Sequence, residues 1–396
     1  METLEEKIKA LGLPDPNEIE ITTIGVGRYE GESLVVHLGN NEWAIIDSCK
    51  ADDGTILPLF YLKELGVTYD HVKVIVCTHW HTDHIKGLSV VVRECDQADF
   101  FYPAVGQGNN QLKLLIEGDK AQGRSSVWKE FIACYHNAGN RGDYAHHDKV
   151  LYDNGHGSQL LALSPSKKML DIVFEKLIGV DGNNRDVRQI NESILEPNIC
   201  SIAIVLNTPD TNVLLGGDLE AFRGKRKPIL SCVGTCKQRW DRGWCNVIEK
   251  SKVLYDKSIS LFKLPHHASK TGYCQTVWNN KTQENVTTVS TVFVNNKGIK
   301  LPQKNMLHTY YNLSSEMYLT SPGPSKRDKK SGKSLLDQNR LPQISTIAVF
   351  NEEKGFVCSR KKSGGFWTTQ ILGTAIKVSD GFLKNYDKVK KVKSKK

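Results

Sequence analysis

One short segment constrains this chain more than any other. The apolar run Val72-Lys73-Val74-Ile75-Val76 reads as a buried strand. It empties at once into Thr78-His79-Trp80-His81-Thr82-Asp83-His84, which holds three of the chain's 12 histidines. His79 and His81 are two apart, so they can point the same way and offer nitrogens to one ion. Asp83 and His84 lie further along the turn, within reach of a second ion. Mixed imidazole and carboxylate donors suit zinc, and also iron or manganese. Gly87 lets the chain pass close to such a site or pack a helix tightly.

A site for two ions needs more ligands than this loop holds, and two other places supply them in similar settings. Leu214-Leu215-Gly216-Gly217-Asp218 is an apolar strand, two glycines and a carboxylate able to bridge two cations. Leu261-Phe262-Lys263-Leu264-Pro265-His266-His267-Ala268-Ser269 is another strand that ends on paired histidines. Three strand ends, each followed by His or Asp, are what one face of a layered α/β body would present around a metal centre.

Composition agrees with such a body. With 396 residues, 39% hydrophobic and 24% charged, the chain is globular and long enough for two or three ordinary domains or one elaborated domain. No run approaches the roughly 20 apolar residues of a membrane span, and Met1 to Pro16 has no apolar signal core. The 10 cysteines form no disulfide framework across most of the chain. They read as thiols in a reducing compartment, so a cytoplasmic location is expected. Lys plus Arg total 53 against 44 acidic residues, a net charge of +9. The excess gathers in Lys384 to Lys396, in Lys326-Arg327-Asp328-Lys329-Lys330 continuing to Lys333, and in Arg360-Lys361-Lys362. Such runs are ordinary solvated surface unless the chemistry points to phosphates, when they become a polyanion footprint.

Along the chain, strands are predicted at 19–24, 33–38 and 43–46, joined by Gly/Asn turns as an antiparallel meander. A helix follows at 58–65 with Pro58 in its first turn. The stretch 105–195 reads as an elaboration, with a helix at 124–133 and strand character at 160–163. Core strands resume at 201–206, 213–215 and 260–264, with a helix-like run at 246–255. Late strands are expected at 289–295 and 344–350, around a polar insert at 321–341.

The run Thr78 to Gly87 resembles the signature of the metallo-β-lactamase fold superfamily, His-x-His-x-Asp-His followed by Gly. In finer detail the chain is similar to the ComEC-type C-terminal hydrolase domain, here without transmembrane segments. Asp47 at a strand end matches that family's early aspartate, and Asn198-Ile199-Cys200-Ser201 its Asn-x-x-Ser segment. Gly217-Asp218 matches its Gly-Asp, and Pro265-His266-His267-Ala268-Ser269-Lys270 its Pro-His-His-Gly-Ser-Lys. The resemblance runs from residue 19 to about 320 and implies an α/β fold of four αββα layers. The domain would cover 1–375, with insertions at about 105–195 and 321–341 and a basic tail at 376–396. It implies one or two ions per chain, Zn2+ or Mn2+, held by His79, His81, Asp83, His84 and Asp218, with His266 or His267 completing the set. A further metal histidine common in the superfamily has no clear counterpart. His136, His146, His147 and His156 lie in the interval, none at a strand end, and read as surface or structural residues.

Hydrolysis through a metal-activated hydroxide is what the resemblance implies, most directly of phosphodiesters in DNA. The ComEC-type branch is linked to nucleic acid, the tail and insert are basic, and Ser269 and Lys270 follow the histidine pair where a phosphate would sit. Asp83 is a catalytic ligand, Lys270 a candidate phosphate contact, and His308 a candidate general acid. Two readings of other classes stand beside this one: a small-molecule hydrolase acting on a cyclic nucleotide, lactone or thioester, and a metal-stabilised partner subunit of a larger assembly. Cys232, Cys236 and Cys245 lack the paired second half of a zinc site. Gly25-Val26-Gly27 lacks the third glycine of a nucleotide loop and, by the resemblance, borders the active site.

Overall fold

The computed structural model describes residues 2–26, 31–103, 125–167, 169–170, 197–221, 223–224, 227–228, 243–294, 300–322 and 354–391. Its first sheet grows from the meander. Strand Glu18–Val26 pairs antiparallel with Glu32–His37, which pairs antiparallel with Trp43–Ile46. Asn40 and Asn41 turn the second hairpin at positive φ, 52° and 59°, a conformation asparagine tolerates better than most residues. Helix Leu57–Leu65 then crosses over to Val72–Val76, which joins parallel to Trp43–Ile46. Asp99–Pro103 and Gly142–Ala145 extend the sheet in parallel. The hairpin Lys354–Lys362/Thr368–Gly373 completes the opposite edge against Glu18–Val26, giving eight strands.

The second sheet repeats the plan. Val150–Asp153, Gln159–Ala162, Ile204–Asn207 and Asn212–Leu215 are antiparallel neighbours. Ile259–Lys263, Thr282–Ser290 and Glu316–Leu319 then add in parallel. Ile376–Lys377 is its edge strand.

Strand alternation decides how the sheets pack. In Glu32–His37, Leu34 and Val36 face the other sheet, where Ile204, Val213 and Leu261 meet them, while Val35 faces outward. The outer face of the first sheet is covered by helices Leu4–Leu11, Leu57–Leu65, Leu88–Glu94 and Ser126–Ala138, through Ile8, Leu62, Val91 and Phe131. Helices Gly243–Lys250, Gln275–Lys281, Lys304–Leu313 and Asp380–Lys391 cover the second, through Trp244, Val277, Leu307 and Leu383. The result is the expected four-layer αββα arrangement.

Several expectations change. Within 105–195, the described residues supply a core helix and three sheet strands rather than a pure insertion. Their strands are four residues each and half-buried, so they carry little hydrophobic signal. The strand expected at 344–350 and the insert residues 323–341 lie outside the described residues. The domain continues past 375, since Ile376 is paired to Leu319, and Phe382 and Leu383 are buried. Arg360-Lys361-Lys362 is not a free basic patch. Arg360 donates to Glu20 at 2.8 Å, and Lys361 and Lys362 pair with Asp210 and Asp15. No described helix is long and apolar enough to cross a membrane. The described cysteines are buried, and none forms a disulfide.

Candidate metal centre

The histidine loop is held from behind by Asp47. This residue follows strand Trp43–Ile46 at φ 59°, and is fully buried. Its carboxylate accepts from the Thr78 backbone N–H at 2.6 Å, the Thr78 hydroxyl at 2.6 Å and His84 Nδ1 at 2.7 Å. A carboxylate only accepts, so His84 carries its proton on Nδ1 and presents Nε2 forward. The Thr78 hydroxyl has given its one hydrogen to Asp47, so His79 Nδ1, 3.0 Å away, donates to it and also presents Nε2. Gly87, at φ 80° and against Ile56, starts helix Leu88–Glu94 directly behind the loop.

The second sheet supplies the other wall. Gly217 has φ 49°, and a Cβ there would lie 2.7 Å from Ser201 Oγ, so only glycine fits. The turn delivers Asp218, whose N–H donates to Ser201 Oγ at 2.9 Å. Beyond strand Ile259–Lys263, His266, His267 and Ala268 all adopt positive φ, 49°, 49° and 54°. That conformation costs about 1–2 kcal/mol per residue, strain of the kind concentrated at functional sites. His266 Nδ1 faces Glu220 Oε1 at 3.0 Å and Thr271 Oγ1 at 2.9 Å, while Thr271 donates to Glu220 at 2.8 Å. His267 Nδ1 faces Thr291 Oγ1 at 2.7 Å.

Four histidines thus present Nε2 to one place. Those atoms of His79, His84, His266 and His267 lie 3.8, 3.4, 3.9 and 3.8 Å from carboxylate oxygens of Asp218. Asp83 Oδ2 is 2.9 Å from His267 Nε2 and 3.4 Å from His84 Nε2. His81 joins through Nδ1, 3.1 Å from His79 Nε2. The donors form two groups, each within 4.8 Å: His79, His81 and Asp218, and Glu32, His84, Asp218 and His267. Asp218 belongs to both. His84 Nε2 and Asp218 Oδ1 are buried without any hydrogen-bond partner. Orphaned donor atoms 3.4 Å apart match two ligands of one ion with bonds of about 2.0–2.2 Å. The residues present fit a divalent metal.

Electrostatics point the same way. Burial alone would lower the His84 pKa, but Asp218, Asp83 and Asp47 outweigh it and raise it well above the ordinary value. Burial also opposes ionisation of Asp218, yet His84, His267 and His266 hold its pKa well below the usual range. His79 is pushed well below the ordinary value by burial, then by His84 and His81. In the ion-free centre His84 therefore favours its protonated form where a cation would sit.

Of the residues singled out in the sequence, His79, His81, Asp83, His84, Asp218, His266 and His267 come together here. Lys270 is exposed one residue beyond buried Ser269. His308 is half-buried on helix Lys304–Leu313, which packs on the Pro265–Ala268 turn. His136 is exposed on a helix, and His156 lies in an exposed turn. His147 Nε2 contacts Ser251 Oγ at 3.0 Å, and His146 Nδ1 the His147 carbonyl at 2.8 Å. None of these four belongs to either donor group among the described residues. Cys232 and Cys236 lie outside those residues. Sequence reasoning missed Glu32, Glu220, Thr271 and Thr291, which carry no local motif. The one available signal was a polar residue beside a strand end.

The metallo-β-lactamase superfamily model matches residues 27–105, which contain the histidine loop. No curated protein matches the chain. Among solved structures, the chain is similar to MEM-A1, a subclass B3 metallo-β-lactamase from a soil metagenome library. That pair shares 12% identity over 65% of this chain and 83% of the other, at a TM-score of 0.31. The metallo-β-lactamase SMB-1 bound to 2-mercaptoethanesulfonate gives 11% identity over 63% and 82%, at 0.32. The fold protein YhfI from Bacillus subtilis gives 12% over 63% and 86%, at 0.29. Similarity at this level says nothing of substrate. The two-sheet architecture, the helices on both outer faces and the matched histidine-loop segment give this chain the metallo-β-lactamase superfamily fold.

Proposed function

We propose that this chain is a metal-dependent hydrolase of phosphodiester bonds, with DNA as its substrate. The observation that carries the reading is the convergence of four Nε2 atoms on Asp218, with His84 Nε2 and Asp218 Oδ1 left unpartnered. In this reading His79, His81 and His266 would hold one Zn2+ or Mn2+ ion and Asp83, His84 and His267 a second, with Asp218 shared between them. Ions held there would lower the pKa of coordinated water towards neutrality and supply Lewis acidity to a phosphoryl oxygen. Asp47, Asp83, Asp218 and Glu32 are buried with Lys263, a net negative charge that a divalent ion would offset.

The chain's own residues supply the rest. Asp47 and Glu220 fix the rings of His84 and His266 so that their lone pairs face the ions. Lys270 is assigned a phosphate contact and His308 the protonation of the leaving group. The lysines beyond Ser379 and those of the insert are assigned the DNA backbone, with a protein partner in a larger system as the alternative. Buried thiols accord with a cytoplasmic setting.

The test is a substrate panel of single- and double-stranded DNA, RNA, cyclic dinucleotides, a β-lactam and a thioester, each with zinc, manganese or magnesium. Asp83→Asn keeps the shape and removes a charge, so turnover should fall on the order of 100-fold or more. Polymer cleavage by the parent and not by the variant is the expected result. Cleavage confined to cyclic dinucleotides supports the smaller-substrate reading. Lactam or thioester turnover without phosphodiester cleavage defeats the substrate assignment.

A further inference from the structure

Behind His267 lies a buried ion pair, Lys263 with Glu32. Lys263, the last residue of strand Ile259–Lys263, and Glu32, the first of strand Glu32–His37, are both 0% exposed. Their side chains pair across the two sheets, between residues 231 apart in sequence. Burying two charges is costly, and an apolar pair of similar volume would serve packing as well or better. A pair retained in that position calls for a role.

Both oxygens of Glu32 are occupied. Oε1 accepts from Lys263 Nζ and Oε2 from the Thr291 hydroxyl. Those bonds hold Glu32 in place within reach of the cluster. The direction of the next bond follows. Thr291 has given its hydrogen to Glu32, so it accepts from His267 Nδ1 at 2.7 Å. With Nδ1 donating to Thr291, His267 turns Nε2 into the centre, where in the ion-free chain it donates to Asp83 Oδ2 at 2.9 Å and would yield that proton to an ion. The same ammonium reaches the carbonyl of Gly217 at 3.5 Å. That carbonyl also accepts from the His266 backbone N–H at 2.9 Å and directly precedes Asp218.

We propose that Lys263 and Glu32 are positioning residues. Acting through Thr291 and Gly217, they fix the ring orientation of His267 and the placement of Asp218, and so preorganise the second ion's site. This rests on the metal-centre reading above, but its first consequence concerns the ion-free chain.

The test uses the full-length protein and cobalt(II) as the probe. 1H–15N spectra of the ion-free parent should show a His267 Nδ1–H protected from exchange by its bond to Thr291. Thr291→Val should abolish that protection and Thr291→Ser restore it. In chelator competition, Thr291→Val should weaken cobalt(II) binding about 10–100-fold, with recovery in Thr291→Ser. Because a single Lys263 change strands Glu32, the pair is tested as Glu32→Gln/Lys263→Met, in which Gln still accepts from Thr291. This double variant should keep the parent's circular dichroism, yet bind cobalt(II) about 10-fold or more weakly and with an altered visible spectrum. A folded double variant with the parent's affinity and spectrum overturns the proposal, as does an unprotected His267 Nδ1–H in the parent. A parent that shows the protected Nδ1–H but binds no cobalt(II) sinks the metal reading and leaves the positioning chain standing.

Discussion

The two halves of this chain follow one plan and end on the same residue types, yet their carboxylates do opposite work. Each half lays down antiparallel strands, then adds parallel strands with helices between them. In the first half the third meander strand, Trp43–Ile46, runs straight into Asp47. In the second, Asn212–Leu215 is followed by Gly216, Gly217 and then Asp218. Asp47 faces back into the structure and accepts three hydrogen bonds from the loop that carries the histidines. Asp218 uses its N–H for support and leaves Oδ1 unpartnered in the centre. Two glycines of extra chain, one of them at positive φ, separate a scaffolding carboxylate from one left open to the centre. Topology sets where a strand end lies, and the residues of the turn decide whether its charge braces the loop or faces the centre.

The comparison breaks most visibly if the two aspartates prove interchangeable. Asp47→Ala strands the Thr78 N–H, the Thr78 hydroxyl and His84 Nδ1. It should cost about 3–5 kcal/mol in ion-free urea unfolding, in line with other buried charge pairs broken on one side. Asp218→Asn should cost the fold much less while removing bound metal. Equal losses of stability in the two variants would erase the distinction.

A smaller effect is expected from pH. The pKa values of His84 and His266 are raised, in each case because nearby carboxylates, Asp218 among them, outweigh burial. A raised pKa in the folded state stabilises the ion-free chain below the unfolded value of about 6.5. That contribution is lost as pH rises through the raised value. Proton competition for the ions fades over the same range. The ion-free melting temperature should therefore fall from neutral to alkaline pH, while the increment produced by added zinc grows. A pH-independent increment would show that these histidines are not the groups displaced.

The smallest effect concerns the lysines of the C-terminus. Helix Asp380–Lys391 is tied down by Phe382 and Leu383, and Tyr386 donates to the Pro302 carbonyl at 3.1 Å. Removing the whole end would thus disturb the domain. Exchanging Lys388, Lys390, Lys391, Lys393, Lys395 and Lys396 for Gln isolates the charge. The log–log salt dependence of DNA binding should flatten by roughly one unit for each lysine that had neutralised a phosphate. Metal content should not change. An unaltered slope would leave the end as a solubilising segment.

Much of the centre was legible in the sequence because each ligand cluster follows a run of buried apolar residues. Val72–Val76, Asn212–Leu215 and Ile259–Lys263 announce their strands, and the His and Asp residues beyond them announce the face. What supports those ligands was not legible. Glu32 finds Lys263 and Thr291 across 231 and 259 residues, through sheet packing that no local pattern encodes. Strand Lys354–Lys362 was missed for a related reason. Its end, Arg360-Lys361-Lys362, looks like solvated charge until Glu20, Asp210 and Asp15 are brought opposite it. The short strands Gly142–Ala145 and Val150–Asp153 are half-buried and carried almost no periodicity.

Metal stoichiometry tests the central claim most directly, namely that both halves contribute to one centre joined by Asp218. Protein purified without chelator should hold about two equivalents of zinc or manganese per chain, as two-metal hydrolytic sites do. His79→Ala/His81→Ala/Asp218→Ala removes one ion's loop ligands together with the bridge, so its content should fall below roughly half an equivalent. A triple variant that retains the parent's full metal load would place the ions elsewhere and contradict the account.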